Sequence, residues 1–180
     1  AWLNHGSHVA VVDSRQMGTA LRDTDALVTA APGVVLSMRF ADCVPVLFHD
    51  ATRSVIAIAH AGWPGIAAGI LGATVRALRS EFGCRPNDVW AGIGPAIRVE
   101  CYPFGRDPAQ RVVDACPPGA RVLSHQPDGT WHLDLIAAVK SQLEAAGVTR
   151  VEDSGICTAC HTDEWFSHRV EKKTGRFGVV

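Results

Sequence analysis

The sequence predicts an α+β fold in a single domain spanning residues 1–180, with mixed, largely antiparallel β-sheets covered by helices. Three observations carry that reading. Two apolar runs, VPVLF (44–48) and VIAIA (55–59), flank a short polar connection, the mark of a β-hairpin. Two later stretches carry apolar residues at helical spacing. Strands and helices follow one another without a regular βαβ repeat, which argues against a doubly wound parallel sheet.

In chain order, VAVVD (9–13) reads as a first strand and SRQMGTALRDTD (14–25) as a polar loop. DALVT (25–29) and GVVLSMRF (33–40) read as two more strands. The hairpin follows, joined by the six residues HDATRS (49–54). A helix is expected over 66–80, with Ile66, Ile70, Leu71, Val75 and Leu78 on its buried stripe and Gly69 and Gly72 allowing close packing on the sheet. Gly and Pro in EFGCRPND (81–88) end it. VWAGIGPAI (89–97) is a strand running into a Gly-Pro turn. DPAQRVVDAC (107–116) is a short helix with Pro108 in its first turn. HLDLIAAVKSQLEAAG (132–147) carries the clearest helical pattern, with Gly147 as its stop. EWFSH (164–168) and RFGVV (176–180) are the last two strand candidates.

Composition narrows the function classes. Hydrophobic residues make up 47% of the 180, enough for a packed core rather than a disordered chain. The formal net charge is -1 and no Lys/Arg block stands out, so neither a nucleic acid nor an anionic membrane is an expected partner. No apolar run reaches the roughly 18–20 residues of a spanning helix. No signal peptide is visible and the chain does not begin with Met, as expected for a fragment. Six scattered cysteines are too few for a disulfide framework in a chain this long; a reducing, cytoplasmic setting with free thiols is expected.

The hairpin brings chemistry with it. With Phe48 set opposite Val55, Cys43 falls opposite His60 at one end of the sheet. A thiolate and an imidazole so placed can share a zinc ion, with sulfur at about 2.3 Å and nitrogen at about 2.0–2.1 Å. They can equally form a Cys–His nucleophile pair, or be a small core thiol and a structural histidine. The turn AGWPG after His60 launches a helix whose N-terminus favours a thiolate or an anion nearby. A third ligand is available in His5 or His8, just before the first strand.

At these residues the sequence resembles the YfiH-like family, also known as laccase-domain or multicopper polyphenol oxidase proteins, purine nucleoside phosphorylases and peptidoglycan-editing factors. The matching stretches are WLNHGSHV, DALVT, ADCVPVLF, AHAGWPG, GIGPAI followed by CY, and CTACHTDEWFSHR with its later TGR. The resemblance implies a layered α/β/β/α architecture and a metal, usually zinc, held by His5, Cys43 and His60, with His8 as the alternative N-terminal ligand. It makes Asp42 the candidate acid/base or supporting group, and Ser167 and Arg169 the candidate substrate-binding residues. Arg169 could grip phosphate through a forked pair of hydrogen bonds. The sequence departs from the family pattern at Asn4, where Val normally precedes the His-Gly motif, at Pro64 in place of Arg, and at Pro103 in place of Glu. The family's N-terminal segment has no counterpart in it.

The implied activity is zinc-dependent phosphorolysis of adenosine, inosine or methylthioadenosine, with adenosine deamination as an added reaction. Purine nucleoside and phosphate are the implied partners; the oligomeric state stays open. Three alternatives remain: a copper polyphenol oxidase, a metal-free hydrolase or amidase of peptidoglycan editing with Cys43 as nucleophile and His60 as base, and a non-catalytic binding protein. The C-x-x-C-H of Cys157, Cys160 and His161 spells a haem-attachment pattern. No haem pocket accompanies it, and a structural or supporting role for Cys157 is the expectation.

Overall fold

A computed structural model describes residues 1–180. Its strands are β1 (Val9–Val11), β2 (Ala26–Thr29), β3 (Met38–Phe40), β4 (Val44–Asp50), β5 (Val55–Ala61), β6 (Trp90–Ile93), β7 (Leu123–His125), β8 (Trp131–Leu133), β9 (Arg150–Asp153) and β10 (Phe177–Val179). Its helices are α1 (Trp63–Ala67), α2 (Ile70–Phe82), α3 (Arg106–Asp114), α4 (Leu135–Ala145) and α5 (His168–Glu171). Six strands form one mixed sheet in the order β1-β2-β5-β4-β6-β9. The pairs β1–β2 and β6–β9 are parallel and the three central pairs antiparallel. Two small antiparallel ribbons, β3–β10 and β7–β8, complete the fold. No helix is long and apolar enough to cross a membrane.

The alternation of side chains along β4 and β5 sorts them between two layers. Val44, Val46 and Phe48 of β4, with Val55, Ala57, Ala59 and Ala61 of β5, join the main core beneath α2 and α4. Ile58 looks the other way, into a smaller core with Leu27, Val34, Leu36, Met38 and Phe40. Each large side chain fully buried in this way contributes about 1.5–3 kcal/mol. On the helix side, the buried Gln142 amide donates to the carbonyls of Ile66 and Ala115, at 2.9 and 3.0 Å, tying α4 to α1 and to the end of α3.

Several expected elements are corrected. The hairpin connection is four residues, 51–54, because both strands extend to the Asp50–Val55 pair. Asp50 Oδ1 accepts from the N–H groups of Thr52 and Arg53, which closes the turn. The observed register sets Phe48 opposite Ala57 and Pro45 opposite His60, a shift of two residues from the expected one. The helix expected over 66–80 begins earlier and is broken in two: Gly69 sits at φ 79°, a left-handed conformation that ends α1 before α2 resumes. Only Met38–Phe40 of the 33–40 run pairs as a strand. His132 and Leu133 belong to β8, and Asp134 caps α4 by accepting from Ala137 N. EWFSH is not a strand; its end forms the N-cap of α5. The β7–β8 ribbon and β9 had not been expected.

Candidate metal centre

Three separate segments supply the expected ligands. His60 is the penultimate residue of β5, on the face opposite the helices. Cys43 immediately precedes β4 on that same face. His5 lies in the segment before β1, with its backbone at φ 60°. Their ligand atoms all fall within 4.8 Å of one another. The two imidazoles meet edge to face with centroids 4.9 Å apart, and the Phe40 ring lies 5.2 Å from His60. Because the register shift is an even number of residues, Cys43 and His60 keep the same face and meet diagonally rather than directly opposed. Gly62 leaves the room they need: a Cβ there would stand 2.9 Å from Cys43 Sγ and 3.1 Å from His5 Cδ2.

Asp25 was not singled out in the sequence, yet it organises the group. It is fully buried, immediately before β2. Its carboxylate accepts from His5 N and Gly6 N, both at 2.9 Å, which sets the unusual backbone of the His5 segment. Its Oδ1 lies 3.6 Å from His60 Nδ1, an ion-pair distance longer than a hydrogen bond, and that buried nitrogen has no closer polar partner. A carboxylate facing Nδ1 favours the proton there and directs the lone pair of Nε2 away from Asp25. The available signal was an Asp at the head of an otherwise apolar strand, too common a pattern to single out.

The electrostatics favour charged groups. Burial pushes the Cys43 thiol up, but hydrogen bonding and charge from His5 and His60 outweigh it and bring the pKa down to about 6. Burial likewise disfavours an imidazolium at His60, but Asp25 and the Cys43 thiolate overcome it and hold the pKa up at about 9. Asp25 meets the cost of burial too, and the His60 charge with the Gly6 and His5 amides keeps its carboxyl below the usual range.

The other expected residues surround this group. Asp42 is buried at φ 81°, an uncommon conformation for a non-glycine residue. Its Oδ1 accepts from the Thr158 hydroxyl at 2.8 Å and its Oδ2 from Arg169 N at 2.6 Å. Ser167 is fully buried and caps α5, accepting from Val170 N at 3.3 Å. The Arg169 guanidinium lies over the Tyr102 ring, 4.4 Å from its centroid, and donates to the Pro103 carbonyl. His8 stands apart from the three ligands, its Nδ1 3.1 Å from the Asp23 carbonyl. The expected helix after His60 is only the five-residue α1, too short to act as a strong anion site.

His5, Cys43, Asp42 and Arg169 open into a cleft of about 470 Å³, walled by Trp63, Pro64, Tyr102 and Phe104. Trp63 and Tyr102 both pack on Phe104, with centroids 5.5 and 5.0 Å away. One thiolate and two imidazoles are a donor set suited to zinc or copper. The Asp25–His60 arrangement is the outer support such a centre requires, so the residues present fit a metal ion. Three protein ligands also leave a coordination position free for chemistry.

The family model described as multi-copper polyphenol oxidoreductase laccase matches residues 2–180. A protein named purine nucleoside phosphorylase from Streptomyces coelicolor is 41% identical over 177 residues, covering 97% of this chain and 71% of its own length. Another of that name from Xylella fastidiosa is 35% identical over 186 residues, covering 99% and 70%. The crystal structure of YlmD from Geobacillus stearothermophilus superposes with a TM-score of 0.93 at 34% identity, covering 97% of this chain and 69% of that one. That of the Bacillus licheniformis hypothetical protein YfiH gives 0.91 at 34% identity, covering 97% and 70%. The motifs, the mixed sheet and these matches agree: the chain belongs to the multi-copper polyphenol oxidoreductase laccase family, the YfiH-like proteins.

Proposed function

We propose that this chain is a purine nucleoside phosphorylase that holds zinc through His5, Cys43 and His60. It would convert nucleoside and inorganic phosphate to free base and ribose 1-phosphate. The observation that carries the reading is a Cys–His–His ligand set two of whose members, His5 and Cys43, open into a cleft walled by three aromatic rings and one arginine. The names of the relatives supply the reaction class. A bound zinc ion would supply Lewis acidity at the floor of the cleft.

The chain's own residues do the rest. Trp63 and Phe104, both partly exposed, offer ring surface against which a purine packs, Tyr102 backs Phe104 and Arg169, and the bulk of the three rings excludes water from one side of the nucleoside. Arg169 brings a fixed positive charge to the same cleft, with guanidinium N–H groups beyond the one given to Pro103 available for phosphate oxygens. Charge develops on sugar, base and phosphate together, so holding the two reactants in line is the main contribution asked of these residues. Asp42 acts as a positioning residue, since its two oxygens hold Thr158 and the backbone of Arg169. Ser167 serves the same end by capping the helix that carries Arg169.

The test is inosine with and without phosphate, reading hypoxanthine and ribose 1-phosphate. Phosphate-dependent release is expected, lost in Cys43→Ala and on chelation and restored by zinc. Base release that does not need phosphate would refute it. The depressed Cys43 pKa beside a protonated His60 favours a second reading, a metal-free hydrolase with Cys43 as nucleophile. Activity that survives chelation and disappears on alkylation of Cys43 would select it.

A further inference from the structure

We propose that Cys101, Cys157 and Cys160 form a second metal site, an all-thiolate cradle for a soft d10 cation, zinc(II) or copper(I). The proposal is independent of the function assigned above. The three sulfurs lie within 4.8 Å of one another, with those of Cys101 and Cys160 3.2 Å apart. Three sulfurs at about 2.3 Å from one ion stand roughly 3.7–4.0 Å from each other, so a small outward rotation of two side chains completes the site.

The surrounding backbone is built to hold it. Cys157 and Cys160 share a C-x-x-C turn after β9, and Cys101 ends the short 3-10 turn Val99–Cys101 after β6. The two segments are joined by a bridge between Ala96 and Cys157 and by the bond from Thr158 N to Ala96 O. A fork from the Arg98 guanidinium to Asp153 braces them again. Cys157 is buried, while Cys160 is exposed and opens the cradle to solvent and to a fourth ligand. Burial alone opposes a Cys157 thiolate, but the backbone N–H groups of Arg98, Cys160 and Ala159 favour it. This is how a C-x-x-C turn presents its first sulfur to a cation. The Cys101 thiol, by contrast, is pushed up to about 12 by burial and by its neighbouring cysteines. Crowded sulfurs oppose one another's ionisation, and a cation reverses that opposition, displacing the thiol protons to solvent.

The experiment uses the full chain carrying Cys43→Ala, which removes a ligand of the first centre. It is reduced, handled without oxygen, and titrated in competition with a chromogenic chelator by zinc(II) in one arm and copper(I) in the other. One equivalent of at least one cation is expected to bind. Adding Cys160→Ser or Cys101→Ser is expected to abolish that equivalent, with circular dichroism showing the fold retained. Cys116→Ser, whose thiol lines a different cleft, is expected to leave it intact. Absence of binding by both cations would overturn the proposal, as would an equivalent that survives Cys160→Ser. A Cys101–Cys160 disulfide formed with peroxide, in a protein that binds neither cation when reduced, would replace the metal site with a redox pair.

Discussion

At the scale of single residues, the Cys43–His60 pair makes metal affinity depend on pH in a defined direction. Both groups must lose their protons to bind a cation. Between about pH 6 and 9 the thiol is already ionised while His60 still carries its second proton. This pair then gives up one proton per ion, so its contribution should raise affinity about tenfold per pH unit in that window. Below about 6 the thiol reprotonates and the dependence steepens; above about 9 it flattens. Chelator competition at stepped pH reads this directly, and a flat profile from 6 to 9 would contradict the charge pattern. Asp25 yields a second expectation. Asp25→Asn keeps the shape but removes the charge facing His60 Nδ1 and weakens an acceptor for the His5 and Gly6 amides. A loss of about 10–100-fold in metal affinity is expected, the usual effect of removing an outer-shell partner. Unchanged zinc affinity in Asp25→Asn would make that carboxylate purely structural.

At the scale of elements, the end of β5 and its turn into α1 decide whether the ligands can converge. Gly62 has φ -76°, open to any residue, so its importance is steric rather than conformational. Gly62→Ala would place a methyl 2.9 Å from the Cys43 sulfur. Zinc content should fall sharply while the thermal midpoint of the metal-free protein moves little; retained stoichiometry would show that the turn yields instead. The same elements explain what the sequence made legible. The apolar runs of β4 and β5 are long enough to declare a hairpin, and their two-residue periodicity placed Cys43 and His60 on one face even with the register two residues off. The exact pairing was not legible because it depends on where the turn closes, and Asp50 closes it early by accepting two backbone N–H bonds. The break between α1 and α2 is conformational: a single left-handed Gly69 interrupts a stripe whose apolar spacing continues through it. β7, β8 and β9 are only three or four residues long, too short to impose a period. Asp25 escaped notice because its partners are backbone amides some twenty residues away, a relationship that only the folded chain creates.

At the scale of the whole molecule, the three expected ligands come from separate parts of the sheet. His5 precedes the edge strand β1, while Cys43 immediately precedes β4 and His60 lies near the end of β5, the two central strands. A cation bound by all three cross-links the N-terminal segment to the middle of the sheet and has no comparable site in the unfolded chain, so its binding energy becomes folding energy. At a free zinc concentration of about 100 Kd the gain is about 2.7 kcal/mol. For a chain of this size each kcal/mol moves Tm by about 2–4 °C, so zinc should raise the melting temperature by roughly 5–11 °C. Chelator should reverse the shift, and Cys43→Ala should remove most of it while leaving any contribution from the Cys101–Cys157–Cys160 cradle. Calorimetry of wild type, Cys43→Ala and Cys43→Ala/Cys160→Ser, each with and without zinc, separates the two contributions. A melting temperature that does not respond to zinc in the wild type would mean that His5 is not drawn to the sheet by a shared ion, and the Cys43–His60 pair would then act without metal.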